Sequence, residues 1–258
     1  MSKTLKYNIH CCNNICTSLI EKLKDKLNSG KDSLFIYDEE EFEYLFVLGG
    51  DGTILFNLDR YKETDIKIIG INYGRLGFYS FFDSIDDLDI NLILEPSSYK
   101  HLDVLEVKVD NETYFSFNEI YVENHTVFQH HLYLDNEFFF SSHSSSYYVS
   151  TVTGSTGKNL SIGGPMLFNV ENLFIFKNVF SVNNNVYRTF DQPIVFDKKN
   201  SLIIKNDDNL ANIVIDGRLV LKNKKISTIK IELSKSKIFL MFNLKKQKLI
   251  NKITRSYL

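Results

Sequence analysis

The hydrophobic pattern of this 258-residue chain changes near Pro96, and that change constrains the fold more than any other feature. Before it, short apolar runs such as Leu45 to Leu48 alternate with helical periodicity, most clearly over residues 17–28. After it, period-two alternation and short apolar runs follow one another, separated by Asn, Asp and Gly. Strands that alternate with helices favour a mostly parallel sheet, whereas a succession of short strands favours a β-sandwich.

The chain is therefore predicted to be an α/β + β protein. An N-terminal three-layer α/β domain with a mostly parallel sheet comprises residues 1–96 and is joined by residues 236–258. An all-β, sandwich-like domain comprises residues 97–235. The last segment returns to a strand-then-helix pattern, so we expect this C-terminal tail to pack back on the first domain.

Composition limits the classes of function. Apolar residues make up 43% of the chain and the net charge is −2, so we expect an ordinary globular protein without a nucleic-acid partner. Eleven Lys or Arg lie between Lys222 and Leu258, but aromatic residues do not interleave with them as in single-strand binders, so this surface is interpreted as solvated. No signal peptide and no run of about 18 apolar residues is found, which predicts a cytoplasmic location and no membrane partner.

The three cysteines lie together with a histidine, at His10, Cys11, Cys12 and Cys16. Zinc sites usually separate paired ligands by two to four residues and have a second pair elsewhere, and this cluster meets neither condition. These residues are predicted to be thiols at a junction between a strand and a helix, and no residue is assigned as a metal ligand.

The run Gly49-Gly50-Asp51-Gly52-Thr53 follows a buried strand and precedes a predicted helix at about residues 52–59. Backbone N–H groups at such a turn can hold phosphate oxygens, and glycine allows a ligand to approach closely. Neither familiar phosphate loop is present. The dinucleotide-binding fingerprint fails because Leu55 occupies the place of its third glycine, and the P-loop pattern fails because Val152 and Asn159 occupy two of its required positions.

Asp51 adds a carboxylate that those loops lack. It could accept a proton from a hydroxyl group that attacks a phosphoryl group, or help to position a metal-bound triphosphate. It could also simply cap the following helix. Both interpretations stay open on this stretch alone.

Three further stretches have the composition of ligand-binding turns. Residues 71–80 form a second glycine-containing turn after a strand. Asn118-Glu119 lies within a predicted strand over residues 113–122, and residues 150–165 are rich in hydroxyl groups and glycine. Each stretch also has a purely structural interpretation: a plain turn for residues 71–80, an exposed strand face followed by a turn for Asn118-Glu119, and a solvated Ser/Gly loop for residues 150–165. Each stretch is weak when taken alone.

Together these stretches resemble the bacterial NAD kinases. The matching segments occur in the family's order and cover essentially the whole chain. They are GGDGT at residues 49–53, NYGRLGF at 72–78, NE at 118–119, TGSTGKNLSIGGP at 153–165 and IDG at 215–217. The first segment is also similar to diacylglycerol and sphingosine kinases and, more distantly, to phosphofructokinases.

The resemblance implies transfer of a phosphoryl group from ATP or polyphosphate to the 2′-hydroxyl of the adenosine ribose of NAD. It implies Asp51 as the catalytic residue, acting as the base or as the group that orients the hydroxyl. It also implies a divalent cation such as Mg²⁺ carried on ATP, and a homodimer or homotetramer. The phosphate and donor site would contain Gly49, Gly50, Gly52, Thr53 and Arg75. The NAD site would contain Asp51, Gly52, Phe78, Tyr79, Asn118, Glu119, Thr153, Ser155, Thr156, Gly157, Lys158, Ser161 and Asp216.

Two departures from the family pattern affect the expected NAD site. Where the family usually has the sequence GSTAYN, this chain has GSTGKN, so that Lys158 replaces an aromatic residue. The family's Asp-Gly shortly before Ser150-Thr151 is replaced by serines in the segment HSSSYYVST. We therefore expect NAD affinity, or the preference between NAD and NADH, to differ from the family pattern.

Two alternatives from other functional classes stay open at this level. A lipid kinase with the same glycine-rich loop predicts activity on a long-chain diol or diacylglycerol. A non-catalytic dinucleotide-binding module predicts binding without turnover. Detection of NADP after incubation with ATP, Mg²⁺ and NAD separates both alternatives from an NAD kinase.

Overall fold

The computed structural model describes residues 4–12, 17–28, 34–75, 77–168, 170–207, 210–235, 238–242, 250 and 254. The chain divides into two compact units, Met1–Leu102 with Ser236–Leu258, and Asp103–Lys235. Cys16 and the predicted C-terminal helix lie outside the described residues. None of the helices formed by the described part of the chain combines the length and apolarity needed to span a bilayer.

The first unit is an α/β domain around a six-stranded sheet. The elements are β1 Leu5–Cys11, α1 Thr17–Asn28, β2 Phe35–Tyr37, β3 Tyr44–Gly49, α2 Asp51–Arg60, β4 Lys67–Asn72, α3 Ile90–Leu94, the 3₁₀ turn Pro96–Ser98, β5 Tyr99–His101 and β16 Phe239–Met241. The strands stand in the order β2-β1-β3-β4-β16-β5, and all neighbouring pairs are parallel except β16 with β5. Because β16 lies between β4 and β5, the described part of the tail returns to this unit, as predicted.

The central strand β3 fixes the position of the first candidate site. All of its residues are buried, as expected for a strand that is covered on both faces. It ends at Gly49, so the glycine-rich turn lies at the carboxyl edge of the sheet. Ligands of open α/β sheets bind at that edge.

The second unit is antiparallel. Its elements are β6 Leu105–Val109, β7 Glu112–Ser116, β8 Glu119–Leu134, β9 Glu137–Thr151, the 3₁₀ turn Thr153–Thr156, α4 Lys158–Ser161, β10 Leu173–Ser181, β11 Ile194–Asp197, β12 Leu202–Asn206, β13 Leu210–Ile215, β14 Arg218–Lys225 and β15 Thr228–Leu233.

The long strands β8 and β9 belong to both layers of this sandwich. The first half of β8 pairs with β13, and its second half pairs with β12. A register shift in the β8–β9 ladder between Glu123 and Phe128 separates the two halves. Apolar residues of both layers share one core, which includes Val107, Val122, Phe174, Ile204, Ile213 and Ile229.

One predicted strand is interrupted. The pattern over residues 113–122 indicates a single strand, but β7 ends at Ser116 and β8 begins at Glu119. The backbone N–H groups of Phe117, Asn118 and Glu119 all donate to the Asp216 carboxylate instead of to a neighbouring strand. The prediction of one continuous strand was wrong because a distant carboxylate binds the backbone at this point.

Candidate active site

The glycine-rich turn of the first unit packs directly against the turn after β4. Gly49 ends β3, Gly50 is the N-cap of α2, and the Tyr73 N–H donates to the Gly49 carbonyl at 3.0 Å. A Cβ on Gly74 would lie 2.6 Å from the Gly50 Cα, so the two turns approach too closely for any side chain at Gly74. Glycine is therefore needed here for packing between the two turns.

Gly52 has a different environment. A Cβ added there would meet no atom within 4 Å, and the residue is exposed in the first turn of α2. Glycine costs about 1 kcal/mol relative to alanine inside a helix. Packing does not explain this cost, whereas close approach of a ligand to the helix N-terminus does.

Asp51 is the first residue of α2 and is not the residue that caps it. Gly50 is the N-cap, and no side chain makes a capping bond there. The Asp51 Oδ1 atom instead accepts the backbone N–H of Tyr79 at 2.8 Å. A carboxylate in the first helical turn also interacts favourably with the helix dipole. The carboxylate is thus fixed by a hydrogen bond from the second turn, and the residue is partly exposed.

The turn over residues 72–80 is held by its own polar groups. The Asn72 Oδ1 atom accepts the Gly74 N–H at 2.9 Å, and the Ser80 hydroxyl donates to the Gly77 carbonyl at 2.8 Å. Gly77 has φ +64°, which favours glycine. Arg75 is exposed.

The two predicted aromatic residues of this turn differ in exposure. The half-buried Phe78 ring lies 5.7 Å from the Tyr79 ring and 6.4 Å from the Phe242 ring, measured between centroids. The Tyr79 side chain is only 2% exposed. Tyr79 therefore contributes its backbone N–H to Asp51, and Phe78 is the more accessible of the two rings.

In the second unit, the Asp216 carboxylate organises the segment that carries Asn118 and Glu119. Its Oδ1 atom accepts the Ser116 hydroxyl at 2.9 Å and the N–H groups of Asn118 and Glu119 at 2.8 and 3.1 Å. Its Oδ2 atom accepts the Phe117 N–H at 2.9 Å. Burial raises the pKa of Asp216, against the effect of these donors. With its oxygens occupied in this way, Asp216 acts on the Asn118-Glu119 backbone.

Glu119 is a half-buried residue whose carboxyl group lies near charges of both signs. Burial and the nearby Asp216 charge raise its pKa to about 7. The Tyr148 hydroxyl, which faces it without reaching ordinary hydrogen-bond geometry, and the Lys158 charge both act in the opposite direction. Glu119 therefore changes its charge near neutral pH.

Thr151 joins the Asn118 segment to the hydroxyl-rich turn. Its hydroxyl donates to the Phe117 carbonyl at 2.6 Å and accepts the Gly154 N–H at 3.0 Å. Its own N–H donates to the Asn118 carbonyl at 2.9 Å. A Cβ on Gly154 would lie 2.2 Å from that carbonyl oxygen, so this position also requires glycine.

The 3₁₀ turn Thr153–Thr156 is stabilised by buried side chains. Ser155 is fully buried, and its hydroxyl accepts the Leu167 N–H at 3.0 Å. The Thr156 hydroxyl donates to the Thr153 carbonyl at 3.1 Å. The buried Asn159 amide donates to the carbonyls of Ser155 and Pro165. Ser155 and Asn159 therefore shape this loop from inside.

The residues after this turn are exposed, namely Gly157, Lys158 and Ser161. The Lys158 Nζ atom lies 3.4 Å from the centroid of the Tyr121 ring. The Tyr121 hydroxyl in turn donates to Ser146 at 2.9 Å. A cation at this distance from an aromatic face makes a favourable cation–π contact.

Sequence reasoning missed four residues that position the site, Tyr121, Tyr148, Thr151 and Asn159. The only available signal for the two tyrosines was strand alternation, because Tyr121 is paired with Tyr148 and Glu119 with Ser150 across β8 and β9. Thr151 and Asn159 lie within the predicted hydroxyl-rich stretch, residues 150–165, but no local signal indicates a buried role for either.

No group of three or more His, Cys, Asp or Glu side chains that could hold a metal ion is found among the described residues. Cys11 and Cys12 are free thiols at the end of β1. Among the described residues, Asp51 therefore belongs to no such group of three or more side chains.

Comparison with known proteins identifies close similarity in sequence and fold. The family model of the ATP-NAD kinase N-terminal domain matches residues 19–93, and that of the ATP-NAD kinase C-terminal domain matches residues 111–242. The NAD kinase of Ureaplasma parvum is 32% identical over 93% of this chain and 90% of its own length. The NAD kinase of Mycoplasmoides gallisepticum is 31% identical over 85% of this chain and 81% of its own length.

Solved structures share the fold. An NAD kinase from Archaeoglobus fulgidus in complex with ATP has a TM-score of 0.78 at 21% identity, covering 97% of this chain and 99% of its own. A yeast NADH kinase complexed with NADH has a TM-score of 0.78 at 16% identity, covering 98% of this chain and 87% of its own. At these identities the likeness establishes the combination of an α/β unit with a β-sandwich.

Proposed function

The chain belongs to the NAD kinase family, and from this premise we propose that it phosphorylates the 2′-hydroxyl of the adenosine ribose of NAD. ATP is the proposed phosphoryl donor, and the products are NADP and ADP. The observation that carries the assignment within this chain is the Asp51 carboxylate, fixed by the Tyr79 N–H beside two glycine turns. A lipid-kinase reading has no comparable support, since both halves of the chain match the NAD kinase family models.

In the proposed reaction, Asp51 accepts the proton of the 2′-hydroxyl as its oxygen attacks the γ-phosphorus. The new O–P bond forms while the bond from the γ-phosphorus to the β,γ-bridging oxygen breaks, and ADP leaves with that electron pair. Positioned bases typically contribute about 10²–10⁴-fold in rate. The N-terminus of α2, with Gly49, Gly50, Gly52 and Thr53, would lie against the donor phosphates. The Thr53 N–H donates to the Gly50 carbonyl at 3.0 Å, so Thr53 is proposed to contribute its hydroxyl group. Exposed Arg75 is available to the same phosphates.

The second unit would bind the dinucleotide. Asn118 and Glu119 would hold the adenosine half, because Asp216 presents their backbone in a fixed conformation. Thr156 is proposed to contact the base. The remaining proposed dinucleotide contacts are Phe78, Thr153, Gly157 and Ser161, while Tyr79, Ser155 and Lys158 are proposed to act through their neighbours.

We propose that a divalent cation, Mg²⁺ in the first instance, is carried by the phosphates of ATP. Such an ion offsets the negative charge of the transferred group.

The defining experiment incubates the protein with Mg²⁺, NAD and either ATP or polyphosphate, and detects NADP with an NADP-specific dehydrogenase. NADP formation in the ATP reaction is expected. The absence of NADP above background in both reactions contradicts the proposed function. Formation with polyphosphate alone contradicts the assignment of ATP as donor.

Gly52→Ala is expected to keep the fold and impair the donor site. Alanine fits because its Cβ meets no atom within 4 Å, and it favours the helix by up to about 1 kcal/mol. The methyl group would occupy the space of a phosphate oxygen, so we expect kcat/KM for ATP to fall about tenfold or more. Steady-state kinetics and a thermal melt measure the two effects.

Gly74→Ala is the comparison variant, because its Cβ would lie 2.6 Å from the Gly50 Cα. It is expected to lower the melting temperature, unlike Gly52→Ala. Unchanged ATP kinetics in Gly52→Ala would show that no phosphate approaches this residue.

We also propose a homodimer or homotetramer formed through the second unit. Phe138 and Phe139 are 59% and 46% exposed, and the Phe139, Phe140 and Phe190 rings lie in series with centroid separations of 4.9 and 5.7 Å. Phe180 is 77% exposed and has φ +53°, an unfavourable conformation for an aromatic residue. Clustered exposed aromatic rings are typical of protein interfaces.

Phe139→Glu is expected to convert the oligomer to a smaller species, because it places a charge among these rings. Light scattering coupled to size exclusion measures the mass. Ile36→Glu, at a residue 53% exposed in the first unit, is the control and should leave the mass unchanged. Equal masses for the unmodified protein, Phe139→Glu and Ile36→Glu would contradict an interface at Phe139.

The proposal includes a cytoplasmic location. The free thiols of Cys11 and Cys12 support it, because thiols persist in reducing compartments.

A further inference from the structure

Lys158 and Glu119 are neighbours on one face of the β8–β9 ladder. Glu119 and Tyr121 are two residues apart on β8, so their side chains point to the same face. Their partners across the ladder are Ser150 and Tyr148. The Lys158 ammonium group lies 3.4 Å from the Tyr121 ring centroid, which places a positive charge beside this carboxyl group.

The other groups facing Glu119 are known from each neighbouring element. Asp216, in the turn between β13 and β14, brings a buried negative charge. Tyr148 of β9 brings a hydroxyl group. Lys158 of α4 brings the positive charge that acts on Glu119 against Asp216. In this set Lys158 is the cation that can balance the two carboxyl groups.

We propose that Lys158 is a positioning residue that favours the charged form of Glu119, so that Glu119 can accept hydrogen bonds from the hydroxyl groups of the bound dinucleotide. This inference rests on the proposed function. A charged carboxylate accepts hydrogen bonds on both oxygens, whereas the protonated form loses part of that capacity. The residue at position 158 thereby sets the lower limit of the pH range in which NAD binds well.

The direction of the pH effect follows from the charges. Burial and Asp216 raise the pKa of Glu119 to about 7, and Lys158 opposes this rise. Protonation of Glu119 as the pH falls through this value weakens NAD binding. Removal of the Lys158 charge raises the pKa of Glu119 further, so the loss of binding begins at a higher pH.

The test compares KM for NAD as a function of pH in the unmodified protein and in Lys158→Met. We expect KM to rise about three- to tenfold near pH 6.5 and to change by less than about twofold near pH 8.5, with kcat little altered. Lys158→Arg keeps the charge and should retain the original profile. Calorimetric titration with NAD supplies a binding readout that does not depend on turnover.

Lys205→Met is the matched control, because the Lys205 Nζ atom lies 4.6 Å from the Tyr133 ring centroid and the substitution removes the same kind of contact. It should leave the profile unchanged. In a Glu119→Gln background, Lys158→Met should have no pH-dependent effect.

Two outcomes overturn the inference. One is an unchanged KM profile in Lys158→Met. The other is an equal rise in KM at every pH, which would indicate that the ammonium group simply contacts a substrate phosphate. Both are distinct from failure of the proposed function, in which the unmodified protein forms no NADP at any pH.

Discussion

Asp51→Asn is expected to lower kcat for NADP formation by about 10²- to 10⁴-fold, the usual contribution of a positioned base. The amide oxygen of Asn can still accept the Tyr79 N–H, so the geometry at this position is retained. The substitution removes the charge and the ability to accept the proton of the 2′-hydroxyl. Steady-state kinetics at saturating ATP and NAD measures the loss.

Stability should change little in this variant. Loss of a carboxylate from the first turn of α2 costs about 0.3–1 kcal/mol through the helix dipole. Asp59→Asn is the control in the same helix, where the side chain pairs with Lys62 at 3.3 Å. It should retain full turnover. Near-full turnover in Asp51→Asn would show that another group accepts the proton, although the chain would still be an NAD kinase.

Asp216→Ala is expected to give the largest loss of stability, about 3 kcal/mol or more. The substitution leaves four donors without their acceptor, namely the Ser116 hydroxyl and the N–H groups of Phe117, Asn118 and Glu119. Each buried donor without a partner is costly. Because these donors belong to the segment that carries Asn118 and Glu119, KM for NAD should also rise. Urea unfolding and NAD kinetics measure the two effects.

Asp110→Ala is the matched control. Asp110 also has positive φ, 49° against 47° for Asp216, and also lies in a hairpin turn, but it is exposed and accepts the Thr228 N–H. Both variants lose stability because alanine is placed at positive φ. The difference between the two losses therefore reports the hydrogen bonds that Asp216 accepts. If Asp216→Ala does not fold, Asp216→Asn still tests the assignment, since its amide retains one acceptor oxygen. Equal stability losses at the two positions would contradict the proposed role of Asp216.

The helices and strands whose formation depends on residues nearby in the sequence were predictable. The apolar run before Gly49 and the periodicity after it predicted the strand and helix that flank Asp51, and the structure has β3 and α2 there. The change of pattern near Pro96 predicted the sandwich. Both inferences depend on side-chain periodicity, which acts over a few residues.

The role of Asp216 was not predictable in the same way. Its partner Ser116 is 100 residues away in the chain, and no local pattern indicates that one carboxylate would bind four donors there. The interrupted strand at Asn118 has the same cause. Lys158 was identified by its motif, but its contact with Tyr121 depends on how β8 and β9 pair.

The sequence by itself determined the class of each unit, the strand-to-helix turn that presents Asp51, and the motifs of the NAD kinase family. Only the tertiary structure decided that the Tyr79 N–H fixes Asp51, that Asp216 binds the backbone before Glu119, and that Lys158 lies beside Glu119. The physical reason is the range of the forces involved. Helix and strand periodicity is set by nearby residues, whereas the direction of a hydrogen bond or the field at a buried carboxyl group depends on strands brought together from distant parts of the chain.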